Sequence, residues 1–106
     1  MSSVGVLEMN FDLPDGLSAY KRTPVFDELT TPAGLQRAHS TKIGVWGVIH
    51  ILEGEMIYKT LNPQTERIAS KETPPIVIKP QELHEVELIG PVLFYVEFHA
   101  QRQPSQ

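Results

Sequence analysis

The sequence predicts an all-β fold in a single domain, a small barrel or sandwich of short antiparallel strands. Three observations predict it. Short runs rich in Val, Ile, Tyr and Phe recur about every 8–12 residues, giving about eight or nine strands. Nine prolines and seven glycines separate those runs, and both residue types favour turns over continuous helix. No segment longer than about ten residues has helical periodicity. At 106 residues the chain is too short to split into two units that each bury a core. Residues 1–106 are therefore read as one domain, with a barrel core over about 18–99, an N-terminal arm over 1–17 and a frayed polar tail over 100–106.

The elements follow in order. Residues 4–11 read as a first strand or an arm. Leu13-Pro14-Asp15-Gly16 is a turn, with Pro presetting φ and Gly free to take φ > 0. Residues 20–26 contain Pro24 and so make an edge strand at best. Residues 27–33 are the one place for a helical turn, which Pro32 keeps short. A short strand is expected over 35–39. The apolar, β-branched runs 45–52 and 55–58 flank Glu53-Gly54, which reads as the turn of a hairpin. Asn62-Pro63 is a further turn, followed by a weak strand over 66–70 and a loop over 71–75. Strands over 76–79, 84–88 and 91–99 complete the set, the last two joined by a turn at Ile89-Gly90-Pro91. The stretches 34–58 and 76–88 then form the two halves of the barrel, with His39 and His84 aimed into its mouth.

Composition excludes several function classes. The net charge is −4, and the nine Lys and Arg residues are scattered, which argues against nucleic acid and against a polybasic membrane attachment. No apolar run approaches the ~20 residues that cross a bilayer. The N-terminus lacks the basic start of a signal peptide. Without cysteine there is no disulfide, no thiolate catalysis and no thiolate metal site, so any metal must sit on His, Asp or Glu. A cytoplasmic location fits this composition.

Strand alternation then sorts the polar residues by face. His84 shares the apolar face of Val86 and Leu88, while Glu85 and Glu87 take the other. In the last strand Val92, Phe94, Val96 and Phe98 share one face, and Leu93, Tyr95, Glu97 and His99 the other. An inward histidine has two readings: a core residue whose nitrogens bond backbone carbonyls, or a metal ligand. Two inward histidines beside tight turns favour a shared site. Functional metal sites take about three protein ligands, and Glu97 is the candidate third, with His99 as its alternative. His50 has the wrong parity for the inside and reads as a surface or interface residue. Arg37 and Lys42 beside His39 are candidates to hold an anion. Tyr95 and Trp46 are candidates to line a pocket. No nucleophile triad and no phosphate-cradling Gly-rich loop is present.

The runs Tyr20-Lys21-Arg22-Thr23-Pro24-Val25-Phe26, Arg37-Ala38-His39-Ser40-Thr41-Lys42, Gly44-Val45-Trp46-Gly47 and Leu52-Glu53-Gly54, followed by His84, Gly90-Pro91-Val92 and Val96-Glu97-Phe98, resemble a small cupin family. That family comprises YeaR-like proteins and the N-terminal domain of TehB-type tellurite-resistance proteins. The resemblance covers about residues 18–99. It implies a cupin jelly roll, a double-stranded β-helix, and a divalent metal held by histidines of two motifs. On that pattern His39 and His84 are the motif histidines and Gly54 the closing glycine of the first motif. The second histidine of the first motif falls on Thr41 and its glutamate on about Gly47, which leaves Glu97 to complete the set. The resemblance also implies a link to tellurite resistance or nitrosative stress.

The expected function is a metal-binding cupin with His39, His84 and Glu97 around one zinc or iron ion, manganese being a further candidate. Arg37 and Tyr95 would hold a small molecule or anion. The alternative is a metal-free cupin that binds a small organic or oxyanion ligand in the barrel. A homodimer through strand edges or the arm is compatible with either.

Overall fold

The computed structural model describes residues 13–101. Among these residues six strands form: β1 (Leu17–Arg22), β2 (Phe26–Asp27), β3 (Trp46–Leu61), β4 (Gln64–Ser70), β5 (Ile76–Ile78) and β6 (His84–Gln101). The helical turn among the described residues is 3₁₀, Ala33–Gln36. Every strand pairing is antiparallel. No helix among the described residues is long and apolar enough to cross a membrane.

β3 and β6 carry the fold. They are 16 and 18 residues long and pair along nearly their whole length. Strands this long must bend to close around a core, and glycine supplies the bend. Gly54 on β3 has φ +84° and Gly90 on β6 has φ +66°, a region that residues with a Cβ avoid. The register breaks at the same corner: Ile51 faces Phe94, Glu53 faces Leu93, Gly54 faces Val92 and Glu55 faces Ile89. Leu52 is thus one extra residue on β3, and Gly90-Pro91 are two extra residues on β6.

The bend makes two half-sheets. One holds β1, β2, the later part of β6, the early part of β3, and β5. The other holds the early part of β6, the later part of β3, and β4. Their inner faces share one core, with Ile49, Ile76 and Phe94 from the first and Met56, Ala69 and Val86 from the second.

The bulges decide which side chains face inward. One extra residue reverses the alternation of a strand and two restore it. On β3 the inward positions change from Ile49 and Ile51 to Met56, Tyr58 and Thr60. On β6 the even positions stay inside throughout, from His84, Val86 and Leu88 to Val92, Phe94 and Val96. The odd positions Tyr95, Glu97 and His99 face out.

Several expectations are corrected. Glu53-Gly54 is not a hairpin turn, because β3 continues through it without reversing. Ile89-Gly90-Pro91 is likewise a kink within β6. In both cases a glycine at positive φ makes a sheet corner instead of reversing the chain. The β3–β4 hairpin turns instead at Asn62-Pro63. The strand expected over 35–39 is the end of the 3₁₀ turn followed by an isolated bridge from His39 to His84. The helical turn expected over 27–33 is an Asp27–Thr31 turn. There the Asp27 carboxylate accepts from the Leu29 and Thr30 amides, each at 2.8 Å. Of the expected arm, residues 1–12 lie outside the described residues, as do 102–106 of the tail.

Candidate functional site

His39 and His84 come together at the start of β6. Their backbones form the isolated bridge, each amide donating to the other's carbonyl, at 3.0 Å from His39 and 2.9 Å from His84. Their rings stack at a tilt, with centroids 4.1 Å apart. A second tie joins the two loops: the Thr41 hydroxyl accepts from the Gln81 amide at 3.3 Å and donates to the Val45 carbonyl at 2.7 Å.

Each imidazole is held in the same way. His39 Nδ1 donates to the Arg37 carbonyl at 2.9 Å, and His84 Nδ1 to the Glu82 carbonyl at 2.8 Å. A carbonyl only accepts, so Nδ1 carries the proton and, in the neutral ring, Nε2 carries the lone pair. His84 is almost wholly buried, at 1% exposure. Burial pushes its pKa below the ordinary 6.5, and the neighbouring His39 pushes the same way against the Glu82 carbonyl, which raises it. At neutral pH the His84 ring is therefore uncharged, with an accepting Nε2.

Both rings line a cavity of about 470 Å³ between the half-sheets. Its wall is largely apolar, with Leu35, Ile49, Ile78, Phe94, Val96 and Phe98 contributing. Polar residues from β1, from Thr23 just after it and from the loop after His39 complete it: Tyr20, Lys21, Thr23, Ser40, Thr41 and Lys42. The Tyr58 ring, which is not part of the cavity lining, lies 5.6 Å from the His84 ring between centroids. The Tyr58 hydroxyl is buried and makes no hydrogen bond. Burial first, and then the Glu82 carboxylate, hold this phenol well above its ordinary pKa.

Glu97 does not join the two histidines. It projects from the opposite face of β6, and its Oε1 accepts from His50 Nε2 at 3.0 Å and His99 Nε2 at 3.4 Å. Burial works to raise the Glu97 pKa, and the hydrogen bonds and charges of His50 and His99 outweigh it and hold the group below its ordinary value. Tyr95 is on this outer face too, stacked on His50 at 4.8 Å, with the Arg22 guanidinium 4.6 Å above its ring. Arg37 lies outside the cavity wall and serves His39 only through its carbonyl. The expected constellation therefore splits: His39 and His84 face the cavity, Glu97 and Tyr95 turn away, and Arg37 stands aside. His99 fails as a substitute third ligand for the same reason of parity.

An imidazole whose Nδ1 is anchored on a carbonyl is well oriented to ligate a metal through Nε2. Zinc and iron sites, however, take about three protein ligands. Among the described residues no third His, Asp or Glu converges on a common point with these two. The donor set of the cavity is short of a resident divalent metal. What the arrangement does offer is two hydrogen-bond acceptors on the floor of an apolar cavity with cations at its wall.

The residues missed from sequence alone are Lys21 and Tyr58. Lys21 faces Phe98 across the β1–β6 pair, but the β1 register slips between Ala19 and Lys21, and that slip leaves no mark in the sequence. Tyr58 was hidden by the Leu52 bulge, which moves it to the inner face.

The TehB-like domain family matches residues 21–96. Two relatives carry the description "Probable S-adenosyl-L-methionine-dependent methyltransferase TehB", from Haemophilus influenzae strains Rd and 10810. Each is 31% identical over 78 residues, covering 70% of this chain and 27% of the relative. The chain thus spans about a quarter of the length of these relatives. The crystal structure of Haemophilus influenzae TehB superposes with a TM-score of 0.76 at 27% identity, over 82% of this chain and 32% of that one. A crystal structure of an Escherichia coli K12 protein superposes with a TM-score of 0.79 at 18% identity, over 88% of this chain and 99% of that one, a likeness of fold. With its family match running from β1 to the later half of β6, the chain belongs to the TehB-like domain family.

Proposed function

We propose that this chain is a small-ligand-binding module, a cupin-like jelly roll that holds one small molecule in the cavity floored by His39 and His84. One observation carries the reading. Two carbonyl-anchored imidazoles share an apolar cavity of about 470 Å³, a size within the range of small-molecule sites. The jelly-roll reading draws support from β3 and β6, which both pass from one half-sheet to the other at a shared corner. Methyl transfer is not assigned to this chain. The relatives' description covers proteins nearly four times the length matched, and the described residues hold no parallel βαβ unit of the kind that binds nucleotide cofactors. As physiological setting we take the tellurite or nitrosative stress associated with the resembling family, in the cytoplasm. A strain lacking the protein that resists both stresses like its parent would remove that setting.

The second reading is a divalent metal on His39 and His84 completed by exogenous ligands. The two Nδ1–carbonyl bonds favour it, and the lack of a third donor opposes it. Thermal unfolding with a metabolite panel, with and without chelator, separates the two. The expected result is stabilisation by an organic ligand that survives chelator and is lost in His39→Gln and His84→Gln. A ligand at a hundredfold its Kd adds about 2.7 kcal/mol, which is easily resolved. Stabilisation by about one equivalent of a divalent metal, with none from any organic ligand, would replace the first reading by the second.

A further inference from the structure

The charge of the cavity runs against that of the chain. The protein carries 13 acidic residues against nine Lys and Arg, a net charge of −4. Yet among the described residues no Asp or Glu lines the cavity, while Lys21 and Lys42 do. Lys21 pairs across the sheet with Phe98, which places it on the cavity face. Lys42 stands in the loop that leads from His39 to β3.

The hydroxyls of the wall are partly spent. Thr41 bonds the Val45 carbonyl and the Gln81 amide. Thr23 donates to the Pro24 carbonyl and accepts from the Val96 amide. What remains for a ligand is the exposed lysines Lys21 and Lys42, the side chains of Ser40 and Tyr20, and the Nε2 atoms of His39 and His84.

This complement selects among anions. An inorganic oxyanion leaves the apolar wall unfilled, and its oxygens would meet imidazole lone pairs, acceptor against acceptor. An organic acid with a hydroxyl or N–H remote from its acid group satisfies every part: the body covers the wall, the acid meets the lysines, and the donor meets Nε2.

We propose that the ligand is a small organic anion, held with its acid group at Lys21 and Lys42 and with a hydroxyl or N–H group donating to Nε2 of His84. The inference rests on the cavity reading above and gives it a ligand class.

Calorimetric titration of the full chain tests it. The probes are hydroxyaryl and hydroxyalkyl carboxylates of roughly six to ten carbons. Each is matched with its primary amide, which lacks the charge, and its deoxy analogue, which lacks the donor, and inorganic phosphate is run alongside. The best hydroxy acid is expected to bind roughly fivefold or more tighter than its amide and than its deoxy analogue. Lys42→Met and Lys21→Met should each weaken the acid roughly fivefold and leave the amide within about twofold. His84→Phe, which keeps a ring but has no acceptor, should remove the advantage over the deoxy analogue. Amides that bind as well as acids, with the lysine variants unchanged, would overturn the anion inference and leave the cavity reading standing. Phosphate binding more tightly than every organic acid would overturn it in favour of an inorganic anion. If no organic probe binds at millimolar concentration, the inference and the cavity reading fall together.

Discussion

Gly54→Ala is the sharpest test of how the long strands turn their corner. A Cβ at Gly54 runs into the carbonyl oxygen of Pro91 and comes within 2.9 Å of Val92 Cα. Both are backbone atoms of β6, and the Val92 amide is also bonded to the Glu28 carboxylate at 3.1 Å, so neither can swing aside like the end of a side chain. The cost has two parts. Holding Ala at φ +84° costs about 1–2 kcal/mol. Prising the corner apart costs about 1–3 kcal/mol more, as for other overpacked sites. In a domain of this size each kcal/mol moves Tm by about 4–8 °C, so a drop of roughly 10 °C or more is expected. Gly90→Ala is the control: it lies at the same corner at φ +66°, with nothing within 4 Å of its Cβ, and should lose only the first part. Urea unfolding followed by circular dichroism, with unchanged m, measures both. The reasoning is refuted if the two variants lose the same stability to within about 0.5 kcal/mol.

Three further outcomes follow from the site. Glu97→Gln should leave any binding in the His39–His84 cavity within about twofold, and should lower stability at pH 7 by about 1 kcal/mol, since its partners are only partly buried. The Glu97 pKa is depressed, so its stabilisation is present above the ordinary carboxylate range and fades as pH falls through the folded value. Loss of cavity binding in this variant would show that Glu97 reaches the cavity after all. His84 has a pKa below 6.5, so below that pH the unfolded chain takes the proton first and stability falls. His84→Gln should flatten this slope just below pH 6.5, by up to about 1.4 kcal/mol per pH unit, and identical slopes in variant and parent would count against a neutral, buried His84. Tyr58→Phe removes a buried hydroxyl that has no partner, so stability should hold or rise by up to about 1 kcal/mol, and a loss larger than that would mean that the hydroxyl is paired.

The all-β class and the pairing of His39 with His84 were legible because both rest on local signals: strand alternation, and histidines beside turns. The hairpin at Glu53-Gly54 was misread because a glycine at positive φ serves a chain reversal and a sheet corner equally well, and only the partner strand decides between them. The register slip in β1 and the bulge at Leu52 are set by long-range pairing, so Lys21 and Tyr58 were not assigned to the inner face. The exclusion of Glu97, by contrast, was readable in advance. Val92, Phe94, Val96 and Phe98 keep the parity of His84 and Val86, and a glutamate at an odd position of the same run cannot share their face.

The same parity explains why two histidine pairs in one small domain have opposite chemistry. On the outer face the Glu97 carboxylate can only accept, so Nε2 of His50 and His99 must carry protons. These rings are donors tied to a charge, and His99 Nδ1 is left buried with no partner. On the inner face the backbone carbonyls of Arg37 and Glu82 take the Nδ1 protons, so the free nitrogens are acceptors, and burial keeps His84 neutral. A carboxylate inside would have pulled the imidazoles toward the charged form and repelled an anion. Among the described residues no carboxylate lines the cavity, which leaves the two rings to recognise donors and the lysines to set the sign of the charge.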